Sequence, residues 1–96
     1  MMRVSTEIER RLVAALAPAE LEVIDESHRH RGHAGARPEG ESHFRVRIVA
    51  TAFAGRGRLE RQRMVYAALG ELMRTDIHAL AIVARTPDEA AEPAPE

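Results

Sequence analysis

Apolar and polar positions recur along this chain with two periods, and each change of period marks an element. Ile8, Leu12 and Leu16 return at every fourth position, one face of a helix. Thr6, with Glu9 three residues on, reads as a capping box at its start. Pro18 cannot continue a helix, so this one should end near Ala17. Residues 21–26 are short and partly β-branched, as a strand would be. From 43 to 50 the period is two: Phe44, Val46, Ile48 and Ala50 point one way, Arg45, Arg47 and Val49 the other. Gly55 and Gly57 break the chain before a second helix over 59–73, whose apolar face is drawn from Leu59, Val65, Tyr66, Leu69, Leu72 and Met73. Gly70 sits inside that helix at a cost on the order of 1 kcal/mol. Residues 79–85 form a last strand, apolar on both faces and therefore expected at the centre of the sheet.

Between these elements lie two stretches with no period. Residues 28–41 hold three Gly, one Pro, three His and three Arg, a loop unusually long for a hairpin. Residues 87–96 carry three prolines and four acids, the composition of a disordered tail. The order is helix, strand, strand, helix, strand. A chain of 96 residues supports one modest core, so the expected organisation is a single domain over 1–86 followed by the tail 87–96.

Composition narrows the chemistry. With no cysteine, the chain by itself supplies no disulfide, thiol nucleophile or thiolate cluster site. Four of its five histidines, His28, His30, His33 and His43, fall in one stretch, and His78 stands alone before an apolar run. Imidazole is the commonest protein metal ligand, so a histidine-rich loop that can face an isolated histidine is the candidate site. His43 begins a strand, where a structural role is expected. Aromatics are 3% of the chain, which leaves few platforms for stacking bases. Net charge is -1, yet 45–63 carries six arginines against Glu60 alone, a basic stretch that keeps nucleic acid in view. No apolar run approaches the roughly 20 residues that span a bilayer, and the first residues lack a signal peptide's apolar segment. A cytoplasmic chain is expected.

Several motifs, in order and at the right spacing, now resemble one family. Leu21-Glu22-Val23-Ile24-Asp25-Glu26-Ser27, Gly32-His33 and Glu41-Ser42-His43-Phe44-Arg45-Val46 resemble the BolA proteins. So do Phe53-Ala54-Gly55, Arg61-Gln62-Arg63-Met64-Val65-Tyr66 and Ile77-His78-Ala79-Leu80-Ala81-Ile82. The resemblance runs from about Thr6 to Pro87. It implies an α+β fold similar to class II KH domains, a three-stranded sheet with helices on one face, in keeping with the element order above. It also implies two activities: partnership with a monothiol glutaredoxin around a shared [2Fe-2S] cluster, and transcriptional regulation through DNA.

On the first, the resemblance assigns the metal ligands to His78 and His33. A [2Fe-2S] centre accepts two histidines on one iron, and glutaredoxin with its bound glutathione would bring the two thiolates. His28 and His30 are close enough in sequence to substitute for His33 in so long a loop. On the second, the turn at Phe53 and Gly55 leads into the second helix, and Arg56, Arg58, Arg61 and Arg63 are the candidate contacts to phosphates or to a protein partner. A solvated arginine face accounts for the same residues at least as well. The family usually has Arg-His-Arg where this chain has Arg61-Gln62-Arg63, which puts any role of that histidine in doubt. An enzyme is not expected: the sequence has no cysteine, activated serine motif, glycine-rich phosphate loop or recognisable carboxylate pair.

Overall fold

A computed structural model describes residues 3–26 and 42–91. The first helix, α1 (Arg3–Leu16), begins a turn earlier than the Thr6–Glu9 pair suggests. Its buried stripe starts with Val4 and continues through Ile8 and Leu12, so the apolar period reaches past Thr6, which lies within the helix rather than at its cap. The end falls where expected. Ala17 takes φ 44 and donates its N–H to the Val13 carbonyl at 3.1 Å, a left-handed closing turn, and Pro18 bars further helix.

Three strands follow: β1 (Glu20–Asp25), β2 (His43–Val49) and β3 (Ala79–Arg85). They lie in the order β1-β2-β3, with β2 antiparallel to β1 and parallel to β3. The central strand is therefore β2, not 79–85. Leu80, Ile82 and Ala84 of β3 pack on the core, while alternation turns Ala79, Ala81 and Val83 to the other face. The two alanines are exposed. Small outward side chains made an edge strand read as one buried on both sides.

Register lines Val23, Val46 and Ile82 up across the sheet. With Phe44, Ile48 and Ala50 they meet Ile8 and Leu12 of α1 and Val65 and Leu69 of the second helix in one core. Each of the larger side chains among them, valine upward, contributes about 1.5–3 kcal/mol when fully buried. The helices thus cover one face of the sheet. On the opposite face Glu22 and Arg47 pair across β1 and β2 at 3.8 Å.

After a 3-10 turn (Thr51–Phe53), α2 (Arg58–Leu69) and the short α3 (Leu72–Thr75) replace the single helix expected over 59–73. Gly70 is the break: at φ 55 and ψ -125 it closes α2, and the Arg11 guanidinium donates to the Leu69 carbonyl at 2.9 Å, partnering an end group the helix cannot satisfy itself. Val65, Leu69 and Leu72 are buried, but Leu59 and Tyr66 are 60% and 40% exposed. Spaced seven apart, these two share the solvent side of α2 rather than its core side.

The chain is also ordered past the expected boundary at 86. A final helix, α4 (Pro87–Ala91), follows β3 directly. Thr86 and Glu89 build a reciprocal cap: the Glu89 N–H donates to Thr86 Oγ1 at 3.2 Å, and the Thr86 N–H to Glu89 Oε1 at 3.0 Å. Proline at the first helical position needs no N–H partner there. Thr86-Pro87-Asp88-Glu89 is a helix start, so 87–91 are helical where a disordered tail was expected, and 92–96 lie outside the described residues.

Candidate functional site

The parallel pairing of β2 with β3 brings two of the histidines to one end of the sheet. His43 opens β2 opposite Ala79, and His78 is the residue just before. The Ser42 carbonyl accepts the N–H of His78 at 2.8 Å and that of Ala79 at 3.3 Å, fixing the backbone that carries His78. His43 is 5% exposed, and its Nδ1 shares a 2.9 Å hydrogen bond with the Ser42 hydroxyl. His78 is exposed. Their ring centroids stand 5.0 Å apart with planes inclined by 52°. The arrangement is an exposed imidazole standing on a buried one.

His28, His30 and His33 lie outside the described residues. The described ends of their connection nevertheless meet here: the Glu26 N–H donates to the His43 carbonyl at 2.7 Å, and the chain returns at Ser42. The described residues that flank this stretch, Glu26 and Ser42, thus both lie beside the His43–His78 pair. The Arg45 guanidinium holds the Glu26 carboxylate at 3.0 Å. Among the described residues no group of three or more His, Cys, Asp or Glu is arranged to hold a metal ion. His78 presents an exposed imidazole, but the described part of the chain completes no set of metal ligands.

The arginines of 45–63 are far less free than their count implies. Arg45 pairs with Glu26, Arg47 faces Glu22, and Arg56 pairs with Glu60 at 2.6 Å. Arg61 is the most engaged. It donates to the Arg56 carbonyl at 2.8 Å, to the Ala84 carbonyl at 3.1 Å and to both Glu89 oxygens at 2.6 and 3.0 Å. Its guanidinium carbon lies 5.9 Å from the centroid of the buried Phe53 ring. The side chain is 13% exposed, and Arg61 binds α2, β3 and α4 together. Arg56, Arg58, Arg61 and Gln62 line one groove of 520 Å³ along β3; Arg63 is not part of it. Arg58 and Arg63 are exposed. Both phenylalanines are buried, leaving Tyr66 as the exposed aromatic ring.

Two features of the site escaped sequence reasoning. The contact between His43 and His78 depends on strand pairing and leaves no local signal. The Glu89 anchor did leave one, the Thr86-x-x-Glu89 spacing. Arg61 and the Thr86 N–H hold the Glu89 carboxyl down at about 2, and Arg10 and Arg11 do the same for Glu7.

Comparison with known proteins agrees with this architecture. The family model described as BolA-like protein matches residues 12–89. The chain belongs to the BolA family. It is 46% identical over 81 residues to the DNA-binding transcriptional regulator BolA of Escherichia coli, covering 84% of this chain and 73% of that protein. To SufE-like protein 1, chloroplastic/mitochondrial, of Arabidopsis thaliana it is 44% identical over 86 residues, 85% of this chain but only 23% of the relative. The chain thus spans under a quarter of that protein. The solved BolA domain of SufE1 from Arabidopsis thaliana superposes with a TM-score of 0.79 at 42% identity, over 88% of this chain and 93% of that one. The BolA match ends at 89, which takes in the cap of α4 but not residues 92–96. Among the described residues, no helix of this BolA domain is long and apolar enough to cross a membrane.

Proposed function

We propose that this BolA-family protein is an adaptor that holds a [2Fe-2S] cluster jointly with a monothiol glutaredoxin and its bound glutathione. His78 is one ligand from this chain. His33 is the other, with His28 and His30 as neighbours able to take its place. The observation that carries the reading is the exposed His78 ring, anchored at the sheet end where the histidine-rich connection departs and returns.

The chemistry supports it. Two imidazoles are an accepted pair on one iron of such a centre, and a chain without cysteine must take the remaining thiolates from a partner. Imidazole must be neutral to bind, so cluster retention weakens as pH falls through the histidine range. The role is that of a ligand-sharing partner rather than a catalyst.

The test is anaerobic reconstitution with a cognate monothiol glutaredoxin and glutathione, followed by visible circular dichroism and EPR. A mixed complex with a spectrum of its own, lost in His78→Ala, supports the reading. A spectrum identical to that of glutaredoxin alone defeats it.

A second reading, DNA binding in transcriptional regulation, draws on the name of the Escherichia coli relative and on the exposed Arg58 and Arg63. It takes second place because four of the six arginines in 45–63 are paired with carboxylates of this same chain.

A further inference from the structure

We infer that His43 is a positioning residue for His78: its buried ring is the floor that holds the His78 imidazole in one orientation. This rests on the reading of His78 as a cluster ligand, but its geometry stands apart from that reading. Three contacts converge. The Ser42 carbonyl takes the N–H groups of His78 and Ala79, so the Cα of His78 is set by the residue adjoining His43. The Ser42 hydroxyl holds Nδ1 of the His43 ring at 2.9 Å, and Ser42 is itself 1% exposed. That buried ring then meets the His78 ring at 5.0 Å between centroids.

An exposed imidazole without such a neighbour samples several staggered orientations. A buried, hydrogen-bonded ring against one side removes some of them. The value of that restriction is entropic. A ligand already aimed gives up less freedom when iron binds, and groups that orient a ligand commonly change metal affinity by 10–100-fold when removed. His43 needs no contact with the metal to have this effect.

The test uses the full chain with three substitutions. His43→Ala and His43→Leu remove the flat ring, and Leu keeps the buried volume should Ala fail to fold. His43→Phe restores a ring without the imidazole nitrogens. In the free protein, side-chain couplings of His78 measured by NMR should report one dominant rotamer in the wild type and His43→Phe, and averaged rotamers in the ring-less variants. In the reconstituted glutaredoxin complex, the ring-less variants should lose cluster about tenfold faster, with His43→Phe restoring most of the lifetime. A ring-less variant that folds yet keeps His78 in its wild-type rotamer overturns the proposal. So does averaging in His43→Phe equal to that in His43→Leu. If no His78-dependent cluster forms even with the wild type, the cluster reading fails, while the couplings in the free protein still decide whether His43 holds His78.

Discussion

Arg61 grips Glu89 with two nitrogens, at 2.6 and 3.0 Å, across 28 positions of sequence. The same guanidinium reaches the Ala84 carbonyl on the edge of β3. One side chain therefore joins the middle helix, the edge strand and the last helix, and its charge is committed within the fold.

That commitment predicts an acid response. Glu89 is held at about 2 against an ordinary 4.5, so its ionised form stabilises the folded chain fully above pH 4.5. The contribution is lost as pH falls from 4.5 towards 2. Glu7, paired with Arg10 and Arg11 and also held at about 2, behaves the same way. Melting temperature should fall across that window, and Glu89→Gln should flatten part of the fall while lowering the melting temperature at pH 7. Equal pH profiles for wild type and variant would remove the ion pair from the account.

Two backbone positions give opposite predictions. Gly70 closes α2 at φ 55, a conformation that resists side chains even though a Cβ there meets nothing closer than 3.6 Å. Gly70→Ala should destabilise by about 1–3 kcal/mol through backbone strain. Ala17 already bears a side chain at φ 44, so Ala17→Gly should stabilise by up to about 1 kcal/mol. Urea midpoints with unchanged slopes measure both.

Much of the fold was legible because β2 alternates so strictly. Phe44, Val46, Ile48 and Ala50 required one covered face, and the structure covers one. The place of β3 was not legible, since outward alanines and an outward Val83 satisfy an edge as well as a centre. Gly70 was visible as a residue but not as a stop, because a lone glycine inside a helical pattern does not declare its φ. The acidic composition of 87–96 concealed the Thr86–Glu89 cap. At the site, His78 and the loop histidines stood out from the sequence, whereas the contact of His43 with His78 needs the parallel pairing of two strands. The partners of the basic stretch were not legible for a related reason: Glu22, Glu26 and Glu89, which pair with its arginines, lie outside 45–63 and reach it only through the fold.

If the basic turn and helix bind DNA, the contacts should come from Arg58 and Arg63 rather than Arg61. Charge reversal at Arg58 and Arg63 should reduce the slope of log affinity against log salt by about 0.9 for each phosphate contact removed. Arg61→Gln should loosen α4, read as faster amide exchange over 87–91, with little change in that slope. A slope unchanged by Arg58 and Arg63 would exclude them from an interface.

The central claim is that an imidazole of this chain binds the iron. The most direct measurement labels only this chain's histidines with ¹⁵N, reconstitutes the cluster with unlabelled glutaredoxin and glutathione, and records pulsed EPR of the reduced complex. The account predicts ¹⁵N hyperfine couplings, with the His78 coupling lost in His78→Ala. A reduced cluster in the mixed complex with no ¹⁵N coupling would contradict it.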